Sequence, residues 1–132
     1  MTRKIEAAAR AVAHAATEIV AVNCQDGPAS IQGYLDVSAC VPGLMDVVSQ
    51  YPDVDAIVVA CFDDTGVDVV RSVTSASVIG VGEAAYHAAS MISPTFSVVT
   101  TLSRSLEGWR QICCAMVWTA VVFGCGLRTC RF

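Results

Sequence analysis

The stretch Ala56-Ile-Val-Val-Ala-Cys-Phe62 decides how this chain is read. Seven consecutive apolar residues lie between Asp55 and the pair Asp63-Asp64. That length suits a strand, and a run without alternation is what a strand covered on both faces requires. The expectation is a buried parallel strand over 56–62 that carries Cys61 to the edge of a crevice, where open α/β sheets bind their ligands. A free cysteine at such a strand end is either a small core hydrophobe or a nucleophile, and the pattern leaves both readings open.

Working outward, Ile5, Ala8, Ala9, Val12 and Ala16 recur at helical spacing in an alanine-rich segment, which predicts a helix over 2–16 carrying His14. Glu18-Ile-Val-Ala-Val22 is short and β-branched and is read as a strand. Asp26-Gly27-Pro28 and Ser30 to Gly33 form a loop facing the crevice. Helical spacing returns over 36–50, with Pro42 near the start, and again from Val67 to Val73. Val78 to Val81 reads as a strand, Gly82 and Glu83 open a helix carrying His87 and running to Ile92, and Phe96 to Thr101 is a further strand. This alternation predicts an α/β fold with an open, mostly parallel sheet covered by helices. Such domains normally open on a strand; here the first element is a helix, so the sheet is expected without its first strand.

With 132 residues, 55% of them apolar, and a net charge of −4, one domain is expected. Eight Lys and Arg form no basic stripe, which excludes a nucleic-acid surface. No signal-type apolar core precedes the first helix, so the expected compartment is the cytoplasm. Seven cysteines without a CxxC pair argue against a metal site or a disulfide framework, and Cys24 and Cys40 are read as structural. His14 and His87 read as satisfied or solvent-facing. No G-x-G-x-x-G follows a strand and no Walker glycine loop is present, so nucleotide binding has no support. Residues 1–102 carry four basic and eleven acidic side chains, whereas residues 103–132 carry four basic and one acidic. The chain is therefore divided into a lobe over 1–104 and an atypical tail over 105–132. Within the tail, Ile112 to Leu127 is sixteen residues without a charge, short of a membrane crossing, and no membrane partner is expected.

Four segments, Gly27-Pro-Ala-Ser-Ile-Gln-Gly33, Val59-Ala-Cys-Phe-Asp-Asp-Thr-Gly66, Val78-Ile-Gly-Val-Gly-Glu-Ala-Ala85 and Phe96-Ser-Val-Val-Thr-Thr101, resemble in order and spacing the Asp/Glu racemase superfamily, and within it the hydantoin and allantoin racemases. The resemblance implies one Rossmann-like lobe of a two-lobe, cofactor-independent racemase. In such enzymes each lobe supplies one cysteine, because inversion needs a proton removed from one face of the stereogenic carbon and returned to the other. Cys61 matches the first-lobe cysteine and is the candidate catalytic residue. Ser30, Phe62, Gly82, Glu83, Thr100 and Thr101 match segments lining the cleft, whose amides would stabilise the charge that develops as the proton leaves. The substrate class implied is an amino acid or a hydantoin-like derivative.

Three departures accompany the resemblance, the first being that the family's opening strand and its Asn-Pro-Asn-Thr-like loop have no match in this sequence. The family usually has Gly or Ser and then Asp-Pro-Gly after the Cys-Phe pair, and Asp63-Asp64-Thr65-Gly66 stands there instead. Its second cysteine motif has no counterpart among Cys113, Cys114, Cys125 and Cys130. A reading-frame change after Ser103 would produce such a tail, which the gene's nucleotide sequence tests. The expectation is therefore a racemase impaired in this chain; the alternative is an inactive racemase-like fragment or a small-molecule-binding α/β protein. Apolar faces left open would allow a homo-oligomer.

Overall fold

A computed structural model of the chain describes residues 2–100 together with the backbone of residues 121–124. The first helix, α1 (Thr2–Val12), stops four residues short of the expected end. None of its residues is buried, so no packing surface extends it beyond what alanine propensity supports. The chain turns instead: Ala16 N–H donates to His14 Nδ1 at 3.1 Å and Thr17 N–H to the His14 carbonyl at 2.9 Å. His14 thus lies beyond the helix and belongs to a turn.

The expected strand over 18–22 is absent. Val20 and Val22 are exposed, and no strand among the described residues runs alongside them. A β-branched run becomes a strand only when a neighbour completes its hydrogen bonds, and that context overrides local preference. Helix α2 (Tyr34–Ser49) begins two residues earlier than expected, with Pro42 in its interior rather than near its start. There the proline leaves the Ser38 carbonyl without its i+4 donor.

Strands β1 (Ala56–Val59) and β2 (Ser77–Gly80) pair in parallel from Ala56↔Ser77 to Val59↔Gly80. Between them α3 (Val67–Val73) falls where the sequence put it, and α4 (Val81–Ile92) follows β2 without a linker. Strand β3 (Ser97–Thr100) pairs in parallel with β4 (Val121–Gly124). The described strands therefore form two short parallel ladders, where the sequence reading had the strand after α4 continuing a single sheet. Strand β4 lies in the uncharged stretch that gave no periodic signal; four residues hold too few alternations to register as one.

Val59, Val67, Val70 and Val78 form the core beneath the first ladder, with Leu44, Met45, Val48, Ile57 and Cys61 packed against it. Only one face of β1–β2 is closed in this way. Val58 is 62% exposed and Ile79 44%, so the apolar run at 56–62 is not covered on both faces, and the strand itself ends at Val59. Among the described residues no helix is long and apolar enough to cross a membrane.

Val70 is fully buried, so Val70→Ala is expected to lower stability by about 2 kcal/mol, from lost burial plus a residual cavity. Val58→Thr, on the open face, should change it by less than about 0.5 kcal/mol. Urea unfolding midpoints of the two variants check the contrast between the two faces.

Candidate active site

The β1–β2 register determines which residues meet at the carboxyl end of the sheet. The last pair is Val59↔Gly80, so two residues further along each strand direction stand Cys61 and Gly82. After Cys61 the backbone folds through two turns: Asp64 N–H donates to the Cys61 carbonyl at 3.0 Å and Val67 N–H to the Asp64 carbonyl at 3.2 Å. Asp64 (φ 49°) and Gly66 (φ 82°) both take left-handed backbone there, a conformation that Asp tolerates and Gly favours.

Those turns bring the Asp64 side chain back to the first turn of α4. Its Oδ1 accepts from Gly82 N–H at 2.8 Å and its Oδ2 from Glu83 N–H at 2.6 Å. A helix start presents amides without partners and a partial positive charge, and a carboxylate answers both. The fit needs two glycines. A Cβ on Gly80 would overlap the Asp64 carboxylate, and one on Gly82 would lie 2.7 Å from Oδ2 and 2.8 Å from the Phe62 carbonyl.

Glu83 completes the junction from the other side. Its carboxylate accepts from Gly80 N–H at 3.0 Å and from the Arg71 guanidinium, which also donates to the Val78 carbonyl at 3.0 Å. Burial acts to raise the Glu83 pKa, yet the Gly80 amide and Arg71 together hold it below the usual glutamate range. Asp64 shifts the other way: burial raises it, the two α4 amides oppose this, and the nearby Glu83 charge adds to the rise.

Cys61 is half-buried against the valine core, and Phe62 beside it is 53% exposed. Cys40, on α2, has its thiol pKa raised by burial first and then by the nearby Cys24 and Cys61, so three thiols far apart in sequence lie within electrostatic reach of one another. The loop holding Cys24 packs on α2, where a Cβ at Gly43 would lie 3.5 Å from the Cys24 Cβ. No group of three or more His, Cys, Asp or Glu among the described residues could hold a metal.

Cys61, Phe62, Gly82 and Glu83 are thus brought together. Ser30 stays exposed in its own loop, accepting from Gln32 Nε2 at 3.5 Å. Thr100 ends β3 as a buried residue, and Thr101 lies outside the described residues. The Gly82 and Glu83 amides, expected from the resemblance to face developing substrate charge, are taken by Asp64. Neither the Asp64 clamp nor Arg71 was found from the sequence. The signal available was the pair of glycines at 80 and 82 flanking a helix start, opposite an Asp in a tight turn.

The model of the Asp/Glu/hydantoin racemase family matches residues 1–129. The chain belongs to this family. It is 42% identical over 106 residues to a hydantoin racemase of Pseudomonas sp. (strain NS671), covering 79% of this chain and 43% of that protein. To a hydantoin racemase of Rhizobium meliloti it is 44% identical over 108 residues, 80% of this chain and 45% of the other. Among solved structures, an allantoin racemase from Klebsiella pneumoniae superposes with a TM-score of 0.85 at 36% identity, covering 93% of this chain and 52% of that one. Allantoin racemase from Pseudomonas fluorescens gives 0.84 at 27% identity, covering 96% and 56%. This racemase-family chain therefore spans about half the length of the relatives it matches, and its helices and parallel strands form the family's α/β lobe.

Because the pKa of Glu83 is lowered in the folded chain, its contribution to stability is present above the ordinary glutamate pKa and is lost as pH falls through the lowered value. Glu83→Gln is expected to cost about 1–2 kcal/mol at neutral pH, through the weakened contacts to Gly80 and Arg71. Thermal melts across pH should show that gap closing on acidification.

Proposed function

We propose that this chain forms one face of a cofactor-independent racemase site for amino acids or their hydantoin- or allantoin-type derivatives, with the Cys61 sulfur as the group that exchanges a proton with the substrate's stereogenic carbon. One observation carries the reading: in a chain of this family, the cysteine that matches the motif stands two residues past the last pair of a parallel ladder, at the sheet edge where such folds bind ligands. Phe62 offers an apolar wall beside it. Ser30, Thr100 and Thr101 belong to the same proposal through their motifs.

Racemisation needs a second acid on the opposite face of the carbon. The motif match supplies one such group, Cys61, and Cys24 and Cys40 stand outside the matched motifs, so this proposal assigns the described residues one half of the proton relay. A missing proton-transfer group is worth on the order of 10²–10⁴ in rate. On this reading the described residues by themselves would racemise poorly while retaining one thiol able to exchange a proton. The competing reading, a lobe that binds such molecules without chemistry, rests on the packing of Cys61 against the core as an ordinary hydrophobe.

Incubating hydantoin or allantoin derivatives with the chain in heavy water separates the two. The expected result is exchange of the stereogenic hydrogen above the buffer rate, with little loss of optical rotation, abolished by Cys61→Ser. No exchange above buffer in the unmodified chain, with ligand binding retained, would establish the binding reading.

A further inference from the structure

We propose that Asp64 is the positioning residue of the Cys61 thiol: by accepting from the Gly82 and Glu83 amides, its carboxylate ties the turn that follows β1 to the start of α4 and so fixes where Cys61 stands. Four observations converge on this. The Asp64 amide donates to the Cys61 carbonyl at 3.0 Å, so thiol and clamp share one turn. Both carboxylate oxygens are engaged at 2.8 and 2.6 Å on a different element, 18 and 19 residues away. Asp64 holds a left-handed backbone at φ 49°, which the clamp stabilises against relaxation. Gly80 and Gly82 have no Cβ where one would displace the carboxylate or the Phe62 carbonyl.

Beyond β1 the ladder gives Cys61 no support, since pairing ends at Val59. Past the last strand pair, the position of a half-buried thiol depends on what holds the turn that follows it. Core contacts hold one side of Cys61; the Asp64 clamp holds the segment on its far side. The charged groups facing Asp64 are Glu83 from α4 and Arg71 from α3, with Asp68 and His87 behind them. Arg71 and the two amides oppose the effect of burial and of the neighbouring Glu83 charge on Asp64.

The proposal deepens the reading of Cys61 as the proton-transfer group, and its test is separable from that reading. Cys61 alkylation by iodoacetamide, followed by peptide mass spectrometry over a range of pH, gives a midpoint and a high-pH plateau. Asp64→Asn and Gly82→Ala, one on each side of the clamp, should each raise the plateau at least about tenfold by freeing the turn. The double variant should show no further gain, because both changes break one interaction. Asp64→Glu, which keeps the carboxylate, should return the plateau towards the unmodified value. A shifted midpoint with an unchanged plateau, or additive effects in the double variant, would overturn the proposal in favour of a purely electrostatic or purely structural role.

The unmodified chain offers a check that no folding defect can obscure. The amide resonances of Gly82 and Glu83 should titrate together as Asp64 is protonated, and the Cys61 Cβ resonance should follow with the same midpoint. A Cys61 signal that stays fixed while the amides move would equally overturn it. If hydrogen exchange is measurable, Asp64→Asn should lower kcat with KM little changed. If the unmodified chain exchanges nothing, the racemase reading fails, while the alkylation and resonance results still decide the role of Asp64.

Discussion

The contact between the Asp64 carboxylate and the first amides of α4 joins the two halves of the first ladder at the end where chemistry is expected. Helix starts leave amides that water or a side chain must satisfy, and this one is met by a side chain from the turn after the neighbouring strand. The bonds are charge-assisted and short, which offsets the cost of taking the carboxylate partly out of water. Two glycines, a left-handed Asp and the location of Cys61 all follow from that one requirement of close approach.

The same junction holds two carboxylates of opposite electrostatic temperament. Glu83 is held charged by Gly80 and Arg71, whereas Asp64 is pushed towards its neutral form by burial and by Glu83 itself. Arg71 lies between the sheet and α4, donating to the Val78 carbonyl as well as to Glu83, and so couples α3 to the same corner. For the family's chemistry this has a direct consequence. The Gly82 and Glu83 amides are engaged by Asp64, so on the proposed reading other groups would receive the charge that develops on a substrate.

Much of the fold was legible because its signals are local. The apolar run at 56–62, the helix over Val67 to Val73 and the strand leading into Gly82-Glu83 each carry their pattern within one segment. What failed were inferences about neighbours. A β-branched run at 18–22 does not say whether a partner strand is present. Seven apolar residues at 56–62 do not say that both faces will be covered, and Val58 shows that one is not. The two residues by which α2 starts early, Tyr34 and Leu35, are both exposed and so lie off the buried face that the helical spacing traced.

By itself the sequence determined the family and the α/β class, because motif order and short-range hydrophobic pattern survive without knowledge of what packs on what; the same motifs nominate Cys61 for the chemistry proposed. Only the tertiary structure decided where the strand stops, which face stays open, that Cys24, Cys40 and Cys61 lie within electrostatic reach of one another, and that Asp64 reaches across to α4. Each of these depends on contacts between residues about 16 to 37 positions apart. No periodicity along the chain encodes such distances; they are set by the parallel register of two strands and the sharp turn that follows the first.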